Sequence, residues 1–177
     1  GGLGSNIAMY LARAGVGHLH LVDFDKVDIT NLNRQQYDIA DLGTLKTDAL
    51  TKNIKRFNPF IEITSQCVKV NEDNAAEIFG GYKIVCEAFD KAENKAMLVN
   101  SILSECGDTK IVSGSGMAGF GSSNTIVTRK INDRFYLCGD AESDMNDGLA
   151  LVAPRVAICA AHEANMILRL LIGEKEV

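Results

Sequence analysis

The chain has 177 residues, of which 46% are hydrophobic and 23% charged, with a formal net charge of -5. This is the composition of an ordinary globular protein, long enough for one domain with a sizeable core spanning 1–177. The acidic balance implies no broad basic surface, so duplex nucleic acid is a poor partner. Five cysteines, Cys67, Cys86, Cys106, Cys138 and Cys159, are odd in number and widely spaced. They read as reduced, mostly core-packed thiols, as in cytoplasm, and no C-x-x-C pair offers a zinc site. No signal peptide is visible. The longest apolar segment, 153–172, carries Arg155, His162, Glu163 and Arg169, which argue against a membrane span.

The chain opens on Gly1-Gly2-Leu3-Gly4-Ser5-Asn6, followed by Ile7, Leu11 and Ala14 at helical spacing. Small residues feeding a helix N-terminus can present free N–H groups and the positive end of the helix dipole to a phosphate. Gly1 and Gly4 would be the second and third glycines of G-x-G-x-x-G, whose strand and first glycine would precede residue 1. A capped surface helix explains the same residues. Gly15 should end this helix. The alternation in 18–23 then predicts a strand ending in Asp23, with Asp25 beyond it. A carboxylate at a strand's carboxyl end, 19 residues after Gly4, is placed to hold ribose hydroxyls. Turn capping is the other use of such aspartates.

Residues 27–39 read as a loop dense in amides around Arg34, which could meet a phosphate bidentately or lie on a solvated loop. Residues 46–57 read as an amphipathic helix ended by Asn58-Pro59. Lys46 falls in its first turn, the unfavourable end for a cation, which mildly favours a functional lysine. Strands over 61–70, 83–89 and 110–113 alternate with helices over Glu72–Phe79 and 91–106. The pattern predicts an α/β fold with a Rossmann-like, doubly wound, mainly parallel sheet. Asp90 follows the second of these strands.

After a glycine-rich stretch, 114–121, residues 124–131 and 134–138 read as strands joined by Asn132-Asp133, an antiparallel extension. Residues 139–148 hold Asp140, Glu142, Asp144 and Asp147 and read as a solvated crossover loop without chemistry. Pro154 suits the first turn of a final helix. Arg155, His162 and Arg169 are spaced by seven and share a face, for which the exposed side is the expectation.

Taken in order, Gly1-Gly2-Leu3-Gly4-Ser5, Val22-Asp23-Phe24-Asp25, Asn31-Leu32-Asn33-Arg34-Gln35, Gly43-Thr44-Leu45-Lys46 and Cys86-Glu87-Ala88-Phe89-Asp90 resemble the ThiF/MoeB/HesA superfamily, relatives of ubiquitin-activating enzymes. Leu137-Cys138-Gly139-Asp140 and Ala153-Pro154-Arg155-Val156 look most like its short second family of ThiF-type proteins. The resemblance implies binding of ATP and Mg2+. It also implies adenylation of the C-terminal glycine of a ubiquitin-like sulfur carrier, ThiS in the thiamine case, by a homodimer. It implies that Gly1, Gly2 and Gly4 approach the phosphates and Asp23 holds the ribose with Asp25 in support. Asn31, Arg34 and Lys46 would surround the triphosphate, and Asp90 would lie near Mg2+. Attack of a carboxylate on a phosphate brings two anions together, and fixed cations and a metal offset that repulsion.

The sequence departs from many members in lacking the two C-x-x-C pairs that bind zinc. Cys138 is the nearest candidate for a later thiol step, although a strand cysteine explains it as well. An arginine donated across the dimer from an N-terminal segment has no counterpart in this sequence. A nicotinamide-dependent oxidoreductase would share the glycine turn and Asp23, but leaves Arg34, Lys46 and Asp90 unexplained. A relative adenylating a tRNA-base substituent is the other alternative, with Arg129, Lys130 and Arg134 as a local basic patch.

Overall fold

A computed structural model describes residues 1–144 and 148–177, so Asp147 of the acidic loop lies outside the described residues. The elements run α1 (Gly2–Arg13), β1 (His18–Val22), α2 (Lys46–Lys55), β2 (Glu62–Gln66), α3 (Glu72–Phe79), β3 (Ile84–Glu87), α4 (Ala92–Glu105), β4 (Lys110–Gly114), β5 (Val127–Lys130), β6 (Phe135–Gly139) and α5 (Ala153–Leu171).

Local chemistry accounts for several of these boundaries. The chain leaves α1 through Gly15, whose φ of 89° is a backbone state that side-chain-bearing residues rarely adopt. Asn71 and Asn74 exchange side-chain-to-backbone hydrogen bonds at 3.1 and 2.9 Å, a capping box that starts α3. Pro154 stands in the first turn of α5, where a missing N–H costs nothing.

The strands are mainly parallel with an antiparallel extension. β1 pairs with β2 in parallel, His18 opposite Glu62. A second ladder has the order β3-β4-β6-β5, with β3, β4 and β6 parallel. β5 returns antiparallel along β6, as the Asn132-Asp133 turn requires.

Helices cover both faces. Neighbouring residues of β4 point to opposite sides, so Ile111 meets Leu98 and Ile102 of α4 in one core. Val112 joins Leu3, Ile7 and Leu11 of α1 and Val156, Ala160 and Met166 of α5 in the other. A third core joins α1 to α2 through Ala8, Ala12, Leu50 and Ile54. Each large apolar side chain so buried contributes about 1.5–3 kcal/mol. The carboxyl ends of β1, β3 and β4 therefore emerge beside the first turn of α1. Among the described residues no helix is long and apolar enough to cross a membrane.

The seven-residue stripe of α5 is not an exposed face. Arg155 is buried, and His162 and Arg169 are half-buried. Arg155 donates to the carbonyls of Gly121 and Ser122 at 3.0 and 2.6 Å and forms an ion pair with Asp140. A buried guanidinium is tolerated because those oxygens receive its N–H groups. The same pair corrects the expectation of a purely solvated acidic loop, since Asp140 is part of the packed structure.

Candidate nucleotide site

The first turn of α1 is rich in glycine, with Leu3 between Gly2 and Gly4. Gly1 is its N-cap, and the first helical hydrogen bond is Ser5 N–H to the Gly1 carbonyl at 3.0 Å. The N–H groups of Gly2, Leu3 and Gly4 precede that bond and have no helical acceptor. A Cβ on Gly4 would lie 3.3 Å from Cβ of Ala88, so the turn packs closely on the chain just beyond β3. A Cβ on Gly2 would lie 3.2 Å from Val156 and 3.6 Å from Nε of Arg34.

This turn is stapled to the amide-rich segment. The Asn6 side chain donates to the carbonyls of Gly2 and Arg34 at 2.7 and 3.0 Å. Ser5 Oγ accepts the N–H of Gln36 at 3.1 Å, and Asn6 Oδ1 accepts from the Gln36 side chain at 2.6 Å. Arg34 is thereby held beside the glycines. Its Nη1 donates to the Thr30 carbonyl and Asn33 Oδ1 at 3.0 and 2.8 Å, while its buried Nε has no hydrogen-bond partner among the described residues. Arg34 also lines a cleft of about 340 Å3 with Asn6, Tyr10 and Pro154.

The end of β1 supplies carboxylates. Asp23 Oδ2 lies 3.6 Å from the Gly1 nitrogen. Asp25 is half-exposed and pairs with Lys46 at 2.8 Å. That ion pair explains how a lysine tolerates the first turn of α2: the carboxylate offsets the unfavourable dipole. Lys46 is buried except for this contact, and its N–H also donates to the Asp25 carbonyl at 2.9 Å. Asn31 has a local task, since its Oδ1 accepts the Asp28 N–H at 3.0 Å and closes the single helical turn Ile29–Asn31. Asp90 is exposed in the bend between β3 and α4.

The donor set fits ATP with a hard divalent cation. A helix start with glycine at positions 1, 2 and 4, and a guanidinium nitrogen without a partner among the described residues, suit phosphate. Among the described residues no three His, Cys, Asp or Glu side chains form a metal-binding group. Mg2+ needs none, because it is held by one or two carboxylates together with phosphate oxygens and water.

The thiols stand apart from this surface. All five are free, and Cys138 is fully buried with its thiol pushed up to about 12 by burial and the nearby Glu163. A thiol so held is a poor nucleophile near neutral pH. Sequence reading did not single out Glu87, Lys95, Glu163 or Asp140 as polar groups built into the interior. The one available signal was a carboxylate at position 87 inside the apolar run Ile84-Val85-Cys86 and Ala88-Phe89.

The ThiF family model matches residues 1–177. The adenylyltransferase and sulfurtransferase UBA4 of Eremothecium gossypii is 37% identical over 118 residues, covering 66% of this chain and 26% of that protein. UBA4 of Saccharomyces cerevisiae is 30% identical over 181 residues, covering 98% of this chain and 40% of that protein. The chain thus spans less than half the length of these relatives. The crystal structure of the E. coli tRNA N6-threonylcarbamoyladenosine dehydratase TcdA in complex with ATP superposes with a TM-score of 0.86. That match has 23% identity and covers 97% of this chain and 82% of TcdA, a likeness of fold. With a glycine-started α1, strand-end carboxylates and a family match along residues 1–177, the chain belongs to the ThiF family.

Proposed function

We propose that this chain binds ATP with Mg2+ and adenylates the C-terminal glycine carboxylate of a ubiquitin-like sulfur carrier. The observation that carries this reading is the convergence of the α1 glycine turn, Asp23, Arg34 and Lys46 at the carboxyl ends of the parallel strands. Ligands bind at that edge in open α/β sheets. Fold-level likeness alone would not suffice, because function resides in the site.

In this reading the N–H groups after Gly1, at Gly2 and Gly4, donate to phosphate oxygens. Asp23 holds the ribose hydroxyls, with Asp25 orienting Lys46 beside it. Asn31, Arg34 and Lys46 surround the triphosphate, and Asp90 holds the metal through oxygen. The bound Mg2+ supplies charge that offsets the repulsion between phosphate and the incoming carboxylate. A carrier carboxylate oxygen bonds to the α-phosphorus as the bond from that phosphorus to the pyrophosphate oxygen breaks. The products are acyl adenylate and pyrophosphate, and no protein nucleophile is needed.

The finer reading, a ThiS-like carrier in thiamine thiazole formation and a homodimeric assembly, rests on the resemblance of the 137–140 and 153–156 runs. The UBA4 relatives, an adenylyltransferase and sulfurtransferase by name, support adenylation in general. The test is ATP–pyrophosphate exchange with a panel of Gly-Gly-tailed carriers, the same carriers lacking the tail, and tRNA. Exchange that requires the tail supports the reading. Exchange with tRNA alone, or stabilisation by NAD and not by ATP with Mg2+, overturns it.

A further inference from the structure

Directly behind the Asp90 bend lies a charged pair. Glu87, the last residue of β3, is fully buried. Both of its oxygens lie 3.2 Å from Nζ of Lys95 on α4. Its Oε1 also accepts the N–H of Phe89 at 2.5 Å, and its Oε2 accepts the hydroxyl of Ser113 on β4. One carboxylate thus gathers donors from the bend that follows it, from the next helix and from the neighbouring strand.

The consequences fall on residues 88–91. Fixing the Phe89 N–H turns the chain immediately after β3. Fixing Lys95 draws the start of α4 to the same point. Asp90 is held between these anchors. Ala88, the first residue of the bend, is the one packed on the α1 glycines: its Cβ is 3.3 Å from where a Gly4 Cβ would be, and its carbonyl oxygen is 3.8 Å from where a Gly1 Cβ would be. Apolar residues of similar volume would fill this space without the desolvation that a buried ion pair suffers. The pair is therefore weak evidence for stability, and what distinguishes it is the set of donors it gathers at one point.

We propose that Glu87 and Lys95 are positioning residues that set the 88–90 bend so that Asp90 meets a nucleotide-bound divalent cation. This rests on the nucleotide reading above. They act through Asp90 and touch neither nucleotide nor metal themselves.

The experiment is calorimetric ATP binding titrated over Mg2+ concentration, with thermal unfolding of each protein measured in parallel. Lys95→Met alone strands a buried carboxylate. The informative variant is therefore Glu87→Gln with Lys95→Met, which removes both charges together. It is expected to unfold cooperatively and bind ATP, with at least a tenfold higher Mg2+ requirement. Lys95→Arg is expected to restore the wild-type requirement. Ser113→Ala, which keeps the ion pair and removes one donor, is expected to raise the requirement about threefold. It supplies the decision if the double variant does not fold. A lowered melting temperature with an unchanged Mg2+ requirement overturns the positioning role and leaves a structural one. A wild-type chain that binds no ATP at any Mg2+ concentration overturns the nucleotide reading itself, a distinguishable failure.

Discussion

Arg155 and Asp140, fifteen residues apart in sequence, form an ion pair in which the side chains are 4% and 11% exposed. Arg155 opens α5, and Asp140 follows β6 directly. The pair therefore ties together the two ends of the segment that crosses between them. Asp140 Oδ1 also accepts the N–H groups of Glu142 and Ser143, both at 2.9 Å. Gly116, at φ 78°, leaves room for that carboxylate, which a Cβ would strike. These bonds hold the Asp140 carboxyl below its ordinary range, although burial opposes them.

Breaking one side of this pair is expected to be costly. Arg155→Met leaves a largely buried carboxylate unpaired and should destabilise the chain by about 3–5 kcal/mol. Adding Asp140→Asn should recover part of that loss. Urea unfolding of the two proteins checks this, and equal stability of the single variant and wild type would refute it.

Glu163 sets a pH dependence. Among the described residues, the hydrogen-bond donors to its carboxyl on α5 are the thiols of Cys86 and Cys159, at 3.5 and 3.8 Å. Burial raises it from its ordinary 4.5 to about 8, with Lys95 opposing and Glu87 adding to the rise. A raised carboxyl binds its proton more tightly in the folded chain. Its contribution to stability is therefore full below about pH 4.5 and is lost as pH rises towards 8. Glu163→Gln should flatten the fall in melting temperature between pH 6 and pH 8.5, roughly the upper part of that window. Parallel profiles for variant and wild type would remove Glu163 as the cause.

Asp25 and Lys46 offer a test within the site. Asp25→Asn removes the charge that holds Lys46 at 2.8 Å. Asp25 is half-exposed but Lys46 is buried, so the stranded ammonium should cost about 1–3 kcal/mol of stability. ATP affinity should change as well, because the lysine loses its fixed position. Fluorescent-nucleotide titration beside thermal unfolding separates the two effects.

Much of the fold was legible because its signals are local. Asn71 and Asn74 cap α3 within four residues, so its start at Glu72 is set locally. The Asn132-Asp133 turn announces the β5–β6 hairpin in the same way. The proposed site residues were picked out by the same local signals: the glycines and Lys46 open helices and Asp23 follows a strand. The interior ion pairs were not. A stripe of Arg155, His162 and Arg169 has the same spacing whether it faces water or a partner. Only tertiary contact with Asp140, Gly121 and Ser122 decides it. The pairing of Glu87 with Lys95 depends on how α4 packs beside β3, which periodicity does not encode.

The most direct test of the account is ATP–pyrophosphate exchange by wild type, Arg34→Ala and Asp90→Ala in the presence of a Gly-Gly-tailed carrier and Mg2+. Arg34 stands beside the glycine turn and Asp90 is exposed on its bend, so both variants should keep a native circular dichroism spectrum. The account predicts exchange by wild type and its near abolition in both variants. Normal exchange in both would contradict it.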